Sequence, residues 1–158
     1  MTSVPAPTTS SLPSTPSAGA LRTVWLAALL LTSLALPFIF LPMEAHWAHM
    51  VFHLIGIPLC LAGVVLLARI RHSSASRTIR VMTGINTAFF IGWLIGHLGE
   101  LMVVLGHGGA HADEEVFDNP VHSSFAALAV PSWMLAVVGS IMLLVTIGIV
   151  SLRHRRHR

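Results

Sequence analysis

Histidine and glutamate are the residue types on which any chemistry of this sequence depends. The chain has 158 residues, with ten histidines, six acidic residues and one cysteine. His49 and His53 are four residues apart, and His97 and Glu100 are three residues apart, so each pair shares one face of a helix. Imidazole nitrogens and carboxylate oxygens are good ligands for first-row transition metals. The spacing therefore indicates candidate metal ligands on two helical segments.

Four apolar runs provide the elements that must position these residues. They cover residues 24–41, 49–68, 81–101 and 131–152, and each is close to the roughly 20 residues that a helix needs to cross a bilayer. Helix is the expected form, because a single span in lipid must satisfy its own backbone groups. Charged residues make up only 9% of the chain, too few to cover a water-facing surface. We therefore predict an all-α, integral membrane four-helix bundle with up-down topology over residues 22–152.

The distribution of charge predicts the orientation of this bundle. With four crossings, all nine arginines fall on one side and all six acids on the other. The arginines are Arg22, Arg69, Arg71, Arg77, Arg80, Arg153, Arg155, Arg156 and Arg158. The acids are Glu44, Glu100, Asp113, Glu114, Glu115 and Asp118. The positive-inside rule makes the arginine side cytoplasmic, together with both termini, in a multi-pass protein of the plasma or inner membrane.

Three further segments flank the spans. Residues 1–21 are rich in Ser, Thr and Pro and are predicted to be a disordered leader. The first apolar run is longer than the roughly 7 to 15 residues of a signal-peptide core, so we expect a span and not a cleaved segment. Residues 106–120 form an acidic outer loop, and residues 153–158 form a basic tail suited to anionic lipid. Asn119 and Pro120 are typical of a helix start, which predicts a short outer helix over 120–130 before Pro131 opens the last span.

The two pairs of candidate ligands are predicted to lie at equal depth. Counting from the cytoplasmic arginines places His53 and His97 each about 6 Å below the outer boundary, with His49 and Glu100 one turn higher. On neighbouring antiparallel helices these four side chains can form one cluster, and His122 can fold over it. The more peripheral candidates on the same side are His46, His107 and His111.

This cluster has more than one chemical interpretation. It can hold a copper, zinc or iron ion, or His53 and His97 can be axial ligands on the two sides of a haem b iron. A hydrogen bond between His97 and Glu100 would also satisfy both groups without any metal. The sequence contains no nucleophile–base set, phosphate loop or nucleotide motif, so we do not expect an enzyme acting on its own.

Three functions remain open from the sequence. The first is metal or haem binding at the extracytoplasmic face, in metal handling, electron transfer or a membrane oxidase or oxygenase assembly. The second is an accessory subunit that packs against a larger membrane complex, or against itself, through Gly84, Gly92 and Gly96. The third is a small proton or cation transporter, although polar residues of the spans end near Cys60 and Asn86. No nucleic-acid partner is expected, because the arginines flank the spans and form no separate patch.

Overall fold

The computed structural model describes residues 17–39, 46–111 and 115–156. These ranges contain α-helices, one short 3-10 turn and no strand, which confirms the all-α prediction. The helices are α1 (Ala18–Ile39), α2 (His46–Ser73), α3 (Arg77–Gly106), the one-turn α4 (Glu115–Asp118) and α5 (Pro120–Arg156), with the 3-10 turn at Gly109–His111.

Four of the helices, α1, α2, α3 and α5, are long and apolar enough to cross a membrane. Each of them carries large apolar side chains on its outward face, such as Leu31, Leu61, Met102 and Val145, which are 67%, 49%, 74% and 56% exposed. Such a surface is suited to lipid and not to water. The predicted apolar runs lie inside these helices, except that residues 40–41 of the first run are outside the described ranges.

The long helices pack antiparallel to their neighbours, and α3 lies between α2 and α5. Along α2 and α3, Gly56 faces His97 while Gly63 faces Phe90, so residue numbers rise on one helix as they fall on the other. The helix α1 closes the bundle against α2 and α5, and the indole nitrogen of Trp133 donates a hydrogen bond of 2.9 Å to the carbonyl of Ser33. The four long helices thus form a bundle, and its insertion and up-down topology in a membrane remain predictions.

Small residues bring α3 very close to α5. A Cβ atom added at Gly96 would lie 2.5 Å from the Cβ of Ala129, and one added at Gly92 would lie 2.6 Å from the hydroxyl of Ser132. Gly92 and Gly96, two of the three glycines that the sequence predicts as a surface for a partner, therefore face α5 of the same chain. Association with a larger complex or with a second copy remains a prediction.

The segment before Pro131 differs from its prediction. Instead of a separate outer helix over 120–130, one continuous helix runs from Pro120 to Arg156. Its start is as expected, since the Asn119 side-chain oxygen accepts a hydrogen bond of 2.9 Å from the backbone N–H of Val121. Pro131 lies inside α5, and two residues close to it, Ala129 and Ser132, are packed against glycines of α3.

Candidate metal centre

Four buried side chains from three helices converge near one end of the bundle. His49 and His53 come from α2, Glu100 from α3 and His122 from α5. One possible ligand atom from each lies within 4.8 Å of all the others. The four residues are at most 6% exposed, so bulk solvent hardly reaches their polar atoms. Three of the four side chains that helical spacing predicts to meet, those of His49, His53 and Glu100, therefore lie together, and the imidazole of His122 is the fourth member.

Four of the six separations between these atoms can be compared with the spacing of ligands around a tetrahedral ion. The Nε2 atom of His49 is 2.8 Å from Nε2 of His53 and 3.3 Å from Nε2 of His122. A carboxylate oxygen of Glu100 is 3.7 Å from Nε2 of His53 and 3.5 Å from Nε2 of His122. Ligand atoms of a tetrahedral site with bonds of about 2.0 to 2.1 Å are about 3.3 to 3.4 Å apart. The observed distances lie on both sides of that value.

The local sequence explains how each ligand reaches this point. His49 and His53 are separated by one turn of α2, so their rings lie on one face and meet edge-on. The ring centroids are 4.5 Å apart. His122 lies in the first turn of α5, which Asn119 fixes as the helix start. The close approach of α5 to Gly96 and Gly99 of α3 then holds His122 beside Glu100.

His97 lies behind His53 and outside the group of four. Its Nδ1 atom is 2.9 Å from Nδ1 of His53, whereas His53 turns its other nitrogen, Nε2, toward His49 and Glu100. Metal-binding histidines typically use their second ring nitrogen in such an outer contact, which fixes the tautomer and the ring orientation. His97, expected from the sequence among the ligands, thus occupies the position of a residue that orients a ligand.

The ring of His97 is itself held in a close-fitting site. It is fully buried and lies against Gly56, where an added Cβ atom would overlap the imidazole. Phe52 and Trp93 pack on the ring, with centroids 5.0 and 5.3 Å from that of His97. The Nε2 atom of His97 has no hydrogen-bond partner among the described residues, so its hydrogen-bonding contact is the one to His53.

The contact between His53 and His97 bears on the haem hypothesis. An iron between two axial imidazoles needs two metal–nitrogen bonds of about 2 Å on opposite sides, hence nitrogens about 4 Å apart. Here the facing nitrogens are 2.9 Å apart, which is shorter than that separation. Haem ligation by His53 and His97 remains a prediction from the sequence.

The remaining predicted histidines are not in the group of four. His46 begins α2, and its side chain lies outside the described residues. His107 is exposed, and its Nδ1 atom is 2.8 Å from the carbonyl of Val103 in its own helix. His111 is exposed at the end of the 3-10 turn. Glu44, Asp113 and Glu114 also lie outside the described residues.

Sequence reasoning missed the apolar surroundings of the cluster. Phe117 of α4 packs edge-on against His49 and His122, with ring centroids 5.1 and 5.7 Å away. His49, Glu100 and His122 line one side of a cavity of about 370 Å³. The other walls of this cavity include Trp93 and Trp133. No helical periodicity marks Phe117, because its helix, α4, has only four residues.

No family model matches this chain, and comparison with the curated proteins and with the solved structures found no match either. The functional argument therefore depends on the cluster itself.

Proposed function

We propose that this protein binds one divalent transition-metal ion through His49, His53, Glu100 and His122, and that its role is metal handling in a membrane. The observation that carries the proposal is the convergence of four buried donor atoms from three helices within 4.8 Å. Buried ionisable groups in a bundle that can span a membrane are costly unless they are paired or bind a metal. A cation at the centre would satisfy three imidazole lone pairs and one carboxylate together.

The donor set favours zinc among the candidate ions. Imidazole nitrogens and carboxylate oxygens are both ligands of Zn²⁺, which is usually four-coordinate in proteins. Cu²⁺ prefers tetragonal geometry, and Cu⁺ prefers thiolate or thioether ligands, which the group of four does not contain. Iron(II) is the second candidate, because it accepts histidine and carboxylate ligands together when a further position stays open.

The number of protein ligands bears on what the ion does. Catalytic zinc sites usually have three protein ligands and an open position, whereas four protein ligands close the site. This cluster supplies four, which favours holding or transferring an ion over catalysis by this chain alone. The arginines lie at the opposite end of the bundle, so the positive-inside rule would place the metal centre at the extracytoplasmic face.

Metal binding to the purified chain tests this proposal. We expect the detergent-solubilised protein, stripped with chelator and reloaded, to bind one Zn²⁺ per chain, and to show the intense visible absorption of four-coordinate Co²⁺ when cobalt replaces zinc. The double variant His49→Ala and His122→Ala should lose both signals. The control is His107→Ala, which removes an exposed imidazole outside the group of four.

The competing interpretation is a purely structural polar cluster, in which the histidines bond to each other and to Glu100. A folded, monodisperse wild-type protein that binds neither Zn²⁺ nor Co²⁺ across neutral pH would establish that interpretation and end the metal proposal. Neutral pH matters, because ligands must be deprotonated to bind and protons compete with the metal.

A further inference from the structure

A groove between α1 and α2 lies far from the metal centre, toward the arginine end of the bundle. It encloses about 530 Å³, and its walls are mostly apolar. The residues that define it are Trp25, Leu29, Leu59, Ala62, Val65 and Leu66. Several of these side chains face outward, and Trp25 and Val65 are 59% and 51% exposed. The groove is therefore open to whatever surrounds the bundle.

A basic pocket lies beside this groove. It has a volume of about 580 Å³ and is lined by Arg22 of α1 and by Arg69, His72 and Ser73 of α2. Val65 and Arg69 line both cavities, so the apolar groove and the basic pocket are adjacent. Two arginines from different helices thus line the pocket at one end of the apolar groove.

No carboxylate of the described residues neutralises these arginines. The ion pairs among those residues join Glu100 to His53 and to His122 at the other end of the bundle. The sequence also places every acid in the segments 44, 100 and 113–118, on the side of the metal centre. The positive charge of Arg22 and Arg69 is therefore available to an external anion.

We propose that this groove binds one anionic phospholipid, with an acyl chain in the apolar part and the phosphate between Arg22 and Arg69. Arginine binds phosphate through two parallel hydrogen bonds, which a single ammonium group cannot reproduce. Basic pockets between membrane helices bind acidic headgroups in this way. Trp25 is suited to the interface just below the headgroups. The shape and the charge of the groove thus match the two parts of one lipid molecule.

The position of the lipid gives it a structural role. It would fill the space between α1 and α2, where the two helices leave a groove instead of interdigitating side chains. Loss of the lipid would then loosen α1 while α2, α3 and α5 remain packed. This proposal is independent of the metal centre, because no residue of the groove belongs to the group of four.

Lipid retention by matched arginine variants tests the proposal. The full chain is purified in detergent, incubated with an equimolar mixture of phosphatidylglycerol and phosphatidylcholine, and analysed by native mass spectrometry. We expect one retained phosphatidylglycerol and at least about a tenfold preference for it, corresponding to about 1.4 kcal/mol. The double variant Arg22→Gln and Arg69→Gln should lose this preference.

The control is the double variant Arg77→Gln and Arg80→Gln. It removes the same charge from exposed positions in the first turn of α3, outside both cavities, and should retain the lipid. Ala62→Trp fills the apolar part without changing charge and should also reduce retention. Equal retention by the wild type and both double variants would overturn the proposal. Displacement of the lipid by millimolar inorganic phosphate would also overturn the proposal, since the acyl chain would then contribute nothing to binding.

Discussion

At the scale of single residues, His53 and His97, which the sequence predicts at equal depth, have different roles. The Nε2 atom of the His53 ring faces the other members of the group of four. The Nδ1 atom of the same ring faces His97. The neutral imidazole has one N–H and one acceptor nitrogen, so a metal on Nε2 leaves the Nδ1–H of His53 to donate to His97. His97 must then carry its own proton on Nε2. The orientation of a ligand ring thus depends on a residue that does not touch the ion.

Gly56→Ala tests this positioning role without altering any ligand. The new methyl group would overlap the His97 imidazole and displace it from His53. Outer-shell disruption of this kind typically lowers metal affinity by about 10- to 100-fold, and we expect that loss together with an altered Co²⁺ spectrum, measured by competitive titration.

Gly63→Ala is the matched control for this variant. It lies on the same helix, and its methyl group would meet the ring of Phe90 at 2.6 Å, so it should strain the packing between α2 and α3 without reaching a histidine. If Gly63→Ala weakened metal binding as much as Gly56→Ala does, the effect would come from helix packing and not from His97.

Single residues also differ in how much of their position the sequence predicts. The spacing of His49, His53 and Glu100 determines their helix faces and approximate depth, and this is enough to predict that they meet. Which nitrogen of His53 faces which neighbour depends on side-chain torsions that helical phase does not determine. The same limit explains why the sequence predicts His97 among the ligands.

At the scale of the helices, the contact between α3 and α5 decides whether the metal centre is complete. Three ligands lie on α2 and α3, but His122 arrives with α5, and the glycines of α3 set the distance between these two helices. Further along, the Asn86 amide is paired with the Ser140 hydroxyl at 3.1 Å. The up-down packing and the run lengths follow from the sequence. The sequence does not predict that α5 continues through Pro131, because that continuity depends on how the helices pack.

Gly96→Ala should therefore weaken metal binding from a position that contacts no ligand. Its methyl group would lie 2.5 Å from the Cβ of Ala129, so α5 must move away and carry His122 from Glu100. Overpacking of this kind costs about 1 to 3 kcal/mol of stability. We expect a lower unfolding midpoint and a weaker zinc affinity. Gly148→Ala on α5 meets nothing within 4 Å and should change neither quantity.

At the scale of the whole molecule, a bound ion would tie three helices together. An ion that binds only the folded state stabilises it by about 2.7 kcal/mol at a free concentration of 100 times the dissociation constant. We expect zinc to raise the unfolding temperature of the wild type, measured in detergent by tryptophan fluorescence. Zinc should raise the unfolding temperature of His122→Ala by less, because three of the four donors remain. An equal shift in both proteins would point to zinc binding elsewhere.

The orientation of the bundle is a separate prediction at this scale. In a Cys60→Ser background, Ala75→Cys places a thiol between α2 and α3 at the arginine end, and His107→Cys places one at the metal-centre end. A membrane-impermeant maleimide added to intact cells should label His107→Cys and leave Ala75→Cys unlabelled until the cells are opened. The reverse pattern would put the metal centre on the cytoplasmic side.

The placement of His122 on the last helix has a consequence for biogenesis. During synthesis the first three long helices emerge before α5, and they bring two imidazoles and one carboxylate but not the fourth donor. Full-affinity capture of the proposed ion would therefore wait until α5 has been synthesised and has docked. A nascent chain arrested before Pro120 should have an incomplete, weaker coordination sphere, so the metal would be loaded after α5 has docked against α3 and not before.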